Sequence, residues 1–272
     1  MTAPRKAVPG GSLASIRFFA CRITVSVLLL LAALAGTGTA HAGESDAAVD
    51  RKGAYAGIFM GSGRTGSRIV DIDGFANWGN PGWSVKYDES GLVGGVLLGR
   101  RMERGNLPIR IEFDAMIGGK TAVTNRLDPR IMDETVRSEF RWVATARAGL
   151  ERPLGRATVF ATAGLALARI RNSVTDIDYS PDGPPWVDFD DSFRNDSTET
   201  GWVLGLGIEA PLAEASLIRL EGLYMDFGRS MHVVNHSGDG RCGPEGVRRP
   251  CPYAIGNELG IVRLAFIRQF GP

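Results

Sequence analysis

Cysteine is scarce in this chain, three in 272 residues, and an amphipathic helical period of useful length is missing. The longest apolar run, "ITVSVLLLLAALA" from Ile23 to Ala35, is about half to two-thirds of the roughly 20 residues a spanning helix needs. An excess of either charge is lacking too, with Lys+Arg at 31 and Asp+Glu at 30, so nothing suggests a nucleic-acid partner. At 44% hydrophobic and 22% charged residues, the composition gives no sign of disorder and suits one large domain.

The short apolar run has a different meaning. Arg5, Lys6, Arg17 and Arg22 precede it, and Ala40-His41-Ala42 follows with a small residue on either side of the histidine. This is the pattern of a secretory signal peptide over residues 1–42, cut after Ala42, with one domain over residues 43–272. Cleavage leaves 27 Lys+Arg against 30 Asp+Glu. Cys21 stands before the apolar core, which does not suit a lipoprotein attachment site. Cys242 and Cys251 remain, in "RCGPEGVRRPCP", and in an exported protein this spacing in a Gly/Pro-rich loop reads as one local disulfide. Two thiols without a third ligand do not close a zinc site, and His236 is the nearest candidate, so neither a metal nor a cofactor is expected.

What the chain does have is alternation. In "IRIEFDAMIG" the residues Ile109, Ile111, Phe113, Ala115 and Ile117 share one face, and Arg110, Glu112, Asp114 and Met116 the other. "SEFRWVATARAGLE" repeats the pattern, with Phe140, Trp142, Ala144, Ala146, Ala148 and Leu150 opposite Glu139, Arg141, Val143, Thr145 and Arg147. Further segments near 54–62, 91–103, 157–171, 200–211, 216–228 and 257–270 bring the expected strands to eight, each long enough to cross a bilayer at a tilt. The connections alternate between short ("ERGNLP", "RPLGR", "PLAEAS") and long (about 63–90, 122–136, 172–199 and 229–256). A soluble sandwich or lipocalin-like barrel would alternate as well. The strand lengths, the short-long loop order and the aromatic chain end favour an all-β, eight-stranded antiparallel up-and-down transmembrane barrel, with short turns in the periplasm and long loops outside.

The segment "GWVLGLGIEAPLAEASLIRLEGLYMDFGRS" (Gly201 to Ser230) carries Gly205, Gly207 and the run Arg219-x-Glu221-x-x-Tyr224-x-Asp226-Phe227-Gly228. It resembles the last hairpin of proteobacterial eight-stranded outer-membrane proteins, the group of the opacity proteins and the barrel of outer membrane protein A. The resemblance implies an outer-membrane location and a final strand whose Gly260, Phe266 and Phe270 form the signal read by the barrel assembly machinery. It also implies periplasmic chaperones during biogenesis, contact with outer-membrane lipids and lipopolysaccharide, and a host or phage ligand at the external loops. The role it implies is non-enzymatic, in envelope integrity and surface interaction. The competing readings are a lipid A-modifying enzyme, an adhesin and a small pore.

On the last strand, Val262, Leu264, Phe266 and Phe270 are expected to face lipid, and Arg263 and Gln269 the lumen. Arg268 takes the lipid parity near the periplasmic end, where it snorkels to headgroups. Strand parity places Arg110, Arg141, Arg147, Arg219 and Arg263 in the lumen with Glu112, Asp114, Glu139, Glu209 and Glu221. Five charges of each sign inside eight strands should pair and plug the barrel.

Three other motifs invite an enzyme reading. "GSGRTG" (Gly61, Gly63, Gly66) follows a strand, but no βαβ unit surrounds it, so a dinucleotide site is not expected. His236 and Ser237 in "NHSGDG" are adjacent, and neighbours on a strand point to opposite faces, so they read as polar loop residues. The acidic run "TDIDYSPDGPPWVDFDDSFRNDSTET" lacks EF-hand spacing and reads as solvated loop, with collection of divalent cations by its carboxylates as the alternative. The disulfide has a direct check. Thiol labelling of the unfolded, unreduced mature protein should find no free thiol, and two labelled cysteines would contradict the pairing.

Overall fold

The computed structural model describes residues 52–72, 81–82, 84–105, 107–118, 125–126, 135–178, 186–234 and 251–270. The signal peptide, Cys242, His236 and Ser237 lie outside the described residues, as does the side chain of Cys251. The strands are β1 (Gly53–Asp71), β2 (Ser84–Arg104), β3 (Leu107–Gly118), the two-residue β4 (Asn125–Arg126), β5 (Thr135–Leu154), β6 (Ala157–Asp178), β7 (Trp186–Ala213), β8 (Ser216–Val234) and β9 (Cys251–Gln269). All pairs are antiparallel. β4 lies beside the end of β5, and the other eight strands close into a ring because β1 pairs with β9 and β3 pairs with β5.

The register fixes the slant of this ring. Following paired residues from Tyr55 through Gly99, Glu112, Arg147, Gly164, Val203, Met225 and Leu259 returns to β1 at Thr65, ten residues beyond the start. With a rise of about 3.3 Å per residue and strands about 4.8 Å apart, that stagger tilts the strands by about 40°. One end of the ring is closed by the tight turns after β2, β5 and β7. Each contains a residue of positive φ: Gly105 at 65°, Gly155 at 58° and Ala215 at 58°. Glycine adopts this conformation freely, whereas Ala215 pays about 1 kcal/mol for it and offers its carbonyl to the Gln269 amide at 2.8 Å.

The strands run well past the segments that alternation marks. β7 begins at Trp186 and β6 continues to Asp178, so much of the stretch expected as a long acidic loop is paired strand. The reason is physical. The regular contrast of an apolar outer face with a charged inner one exists only where one face meets lipid; beyond the membrane the outer face turns polar and the inner one mixes polar with apolar residues.

The exterior supplies the opposite of a soluble protein's surface. Ile58, Met60, Leu92, Val96, Leu98, Phe113, Ile117, Leu165, Leu204, Val262, Leu264 and Phe266 all point outward, and Leu92 and Leu165 are each 72% exposed. On β6 the outward apolar run from Val159 to Leu167 spans roughly 20–25 Å along the barrel axis, the height of a lipid-facing band. Trp142, Trp202 and Tyr224 stand at its upper edge, where the Trp202 and Tyr224 rings pack 5.4 Å apart and the Tyr224 hydroxyl donates to Glu258 at 2.8 Å. Above them the outward residues turn charged: Arg64 with Asp88, Arg169 and Arg171 with Asp196, and Arg141 with Glu139.

Candidate functional site: the charged interior

The lower half of the interior is filled by a network of arginines and carboxylates drawn from almost every wall strand. Nearest the tight turns, Arg101 and Arg110 share Glu151 and Glu209, with Arg110 Nη2 2.5 Å from Glu209 Oε1 and Arg101 Nε 3.1 Å from Glu151 Oε1. Arg219 links this layer to the next, since its Nε meets Glu209 at 3.1 Å and its Nη1 meets Glu112 at 2.5 Å. Arg147 contacts Glu112, Asp114 at 2.8 Å and Glu221 at 2.5 Å. Arg263 completes the group, 2.9 Å from Asp114 and 2.8 Å from Glu221. Tyr55 donates its hydroxyl to Glu112 at 2.7 Å, and Thr162 on β6 accepts from Arg147 Nη1 at 3.1 Å.

Aromatic faces support the cations. The Arg110 guanidinium lies 3.8 Å from the Phe160 ring centre, Arg263 4.2 Å from Phe59 and Arg101 4.6 Å from Tyr55. These rings need space on the inner wall, and glycine provides it. A Cβ added at Gly99 would lie 2.2 Å from Tyr55 Cζ, and one added at Gly207 would lie 2.3 Å from Phe160 Cζ. Gly207 in the resemblance motif is therefore a seat for Phe160, which in turn backs Arg110.

Of the ten charges that parity assigns to the lumen, Arg110, Arg147, Arg219, Arg263, Glu112, Asp114, Glu209 and Glu221 are buried and paired in this network. Glu139 and Arg141 are a correction. A β-bulge between Phe140 and Trp142 inverts the parity of β5, so Phe140 points inward against Phe227 at 5.6 Å while Glu139 and Arg141 face out and pair with each other at 3.1 Å. Arg101 and Glu151 take their place inside, which keeps five charges of each sign within this network, while Asp71 is buried separately near the other end of β1. Glu151 shares the parity of Arg147, a signal present in the sequence. Arg101 has no such signal, because Arg100 adjoins it and both faces of β2 are apolar (Leu92, Val96 and Leu98 outside, Val93 and Leu97 inside).

Of the assembly-signal residues, Gly260 lies on β9 opposite Tyr224 and Arg64, and Phe266 and Phe270 point outward, 45% and 53% exposed. Val262 and Leu264 face the same way as Phe266, Arg263 is buried, and outward Arg268 reaches Ser216 Oγ at 3.1 Å.

Above the charges the interior changes character twice. Val93, Met116, Val203, Met225 and Leu259 form an apolar layer. Over it lies a neutral polar layer in which Ser67 donates to Asn257 at 2.8 Å, Ser138 donates to Asn172 at 2.6 Å, and the Tyr87 and Ser138 hydroxyls are 2.8 Å apart. Ile69, Val136, Val174, Tyr253 and Ile255 cap this layer, with Phe193 stacked on Tyr253.

A closed ring of tilted strands, apolar outside and charged inside, is the inverse of a soluble barrel and is stable only in lipid. The chain is an eight-stranded transmembrane β-barrel. No protein-family model matches it, and no curated protein does. Among solved structures it is similar to Ail, the attachment invasion locus protein of Yersinia pestis, at 12% identity over 79% of this chain and 99% of that one, with a TM-score of 0.32. It is also similar to the outer membrane protease OmpT from Escherichia coli, at 10% identity, 81% and 98% coverage and a TM-score of 0.42. A third is the outer membrane protein OprG from Pseudomonas aeruginosa, at 13% identity, 81% and 98% coverage and a TM-score of 0.32. The class rests on the ring and its lipid-facing belt, not on these likenesses.

The network predicts a sharp contrast between two substitutions. Glu112→Ala leaves Arg147 and Arg219 each short of a buried carboxylate and should cost about 3–5 kcal/mol. Arg141→Gln removes only an exposed ion pair and should change stability by less than about 1 kcal/mol. Urea unfolding in lipid vesicles, followed by tryptophan fluorescence, measures both.

Proposed function

We propose that this barrel is a non-enzymatic envelope protein, plugged through its lumen, which supports outer-membrane integrity and meets its partners on its outer surface. The observation that carries this reading is the interior itself. Guanidiniums and carboxylates that are wholly buried bridge facing walls, as in Arg263 to Asp114, and an apolar layer seals them on the exterior side. A water-filled pore has no need of matched charges that cross-link its walls, whereas a stiff, closed membrane staple does. The reading predicts no steady conductance when the purified protein is added to a planar bilayer. A stable, large single-channel current would overturn it in favour of the small pore.

One observation favours a lipid A-modifying enzyme instead. Ser230 Oγ lies 3.1 Å from His232 Nε2, and Asn195 Nδ2 lies 3.1 Å from His232 Nδ1, a hydroxyl, imidazole and amide in series. Burial lowers the His232 pKa below its ordinary value and favours the neutral ring, but the Asn195 amide nitrogen can only donate, so Nδ1 accepts and Nε2 carries the proton that a base for Ser230 would lack. The Asn172 amide also approaches Nε2 at 3.3 Å, and Phe193 stacks on the ring at 5.4 Å, inside the wall and away from the lipid face. In the plugged-barrel reading these groups are interior polar packing. Lipid A mass spectrometry separates the two, since an unchanged acyl pattern with and without the protein is expected here and an altered one would establish the enzyme.

A further inference from the structure

Immediately above the apolar belt, on the outward face of β5, β6 and β7, the register builds a small lattice of charge. The bulge at Phe140/Trp142 presents both Arg141 and Trp142 outward, and Arg169 pairs across from Trp142. In the next row Arg171 stands between Glu139 on β5 and Asp196 on β7. In the row beyond, Arg137 and Arg194 flank Ser173, and neither has an ion-pair partner among the described residues. Among the residues whose side chains are described, five arginines therefore share this face with two carboxylates.

The two carboxylates set the arginines in place without using up their donors. Asp196 accepts from Arg171 Nη2 at 2.7 Å and from Arg169 Nε at 2.8 Å, and these bonds, that of Arg171 first, hold its carboxyl below the usual range. Glu139 accepts from Arg141 Nη1 at 3.1 Å. A guanidinium has five N–H groups, so Arg141 and Arg169 keep donors that point to solvent. Their side chains are 44% and 41% exposed.

Below this lattice the outer wall is shallow. Ala144, Ala146, Ala148, Ala161 and Ala163 lie together on β5 and β6, beside Phe113 and Leu165, which project from the belt. Fixed, forked donors with an excess of positive charge match a phosphate, and their height, one row above Leu167, is that of lipid headgroups. A strip of alanine below them leaves room for acyl chains.

We propose that the outward face of β5, β6 and β7 binds a phosphorylated glycolipid of the outer leaflet, its phosphate held by Arg141 and Arg169 and its acyl chains lying along the alanine strip. This site deepens the envelope reading, and rests on it, by naming the lipid chemistry the barrel would hold. It also gives the bulge a purpose, because without the extra residue Arg141 would point into the lumen.

The test uses the folded protein in detergent micelles, with lipid A carrying both phosphates as the probe and native mass spectrometry as the readout. Wild type should retain the lipid, and the double variant Arg141→Gln/Arg169→Gln should bind roughly tenfold or more weakly. Lipid A stripped of both phosphates should bind wild type as weakly as the variant binds the intact lipid. Arg64→Gln, on β1 across the ring, should bind like wild type. Equal binding of intact and stripped lipid overturns the proposal, as does a double variant that binds like wild type. Displacement of the lipid by inorganic phosphate would show a free-anion site and overturn the lipid assignment. The heat-dependent gel shift is scored separately. Wild type without a shift refutes the membrane barrel itself, and if only the double variant loses its shift, the comparison of the two lipids on wild type decides.

Discussion

The structure depends on matched charge in the lower half of its interior. A ring of eight strands encloses a space that side chains fill, and here the lower half holds Arg101, Arg110, Arg147, Arg219 and Arg263 against Glu112, Asp114, Glu151, Glu209 and Glu221. Removing these groups from water costs several kcal/mol per ion, and only contact with opposite charge offsets it. No arginine relies on one partner. Arg147 reaches three carboxylates and Arg219 reaches at least two, so the loss of any acid is felt across several strands. The network is thus a set of cross-braces between walls that backbone ladders join only to their immediate neighbours.

That constraint extends outward through strand parity. Because side chains alternate, each inward charge commits its neighbours to lipid, and Ile111 and Phe113 face the membrane because Arg110, Glu112 and Asp114 do not. The aromatic layer follows from the same geometry. Tyr55, Phe59 and Phe160 lie under guanidiniums, and they fit because Gly99, Gly95 and Gly207, paired beside them on the neighbouring strands, leave those positions bare.

Much of this is legible in the sequence, and the remainder is hidden for identifiable reasons. β3 can be read residue by residue, because its inner face is charged and its outer face apolar throughout the membrane. β5 can be read from Val143 onward but not before, since a bulge adds one residue without leaving a mark in the apolar pattern, and this moves Glu139 and Arg141 from the lumen to the surface. Arg101 is hidden by its neighbour Arg100, and by a strand apolar on both faces. The outer reaches of β6 and β7 are hidden because, away from lipid, the outer face is polar and the inner face mixes Val174 and Phe193 with Asn172, so no regular alternation shows.

The stacking of the interior also restricts where recognition can occur. From the tight turns upward the lumen passes from ion pairs to an apolar layer, then to neutral amides and hydroxyls, then to an apolar cap. Each layer differs in polarity from the next. On the proposed reading of a plugged lumen, a solute crossing the barrel would exchange water for ion-pair partners, lose those in the apolar layer and regain hydrogen bonds above it, which disfavours passage. On that reading recognition falls to the outer wall, where the bulge of β5 departs from regular strand geometry and places a charge at the lipid boundary.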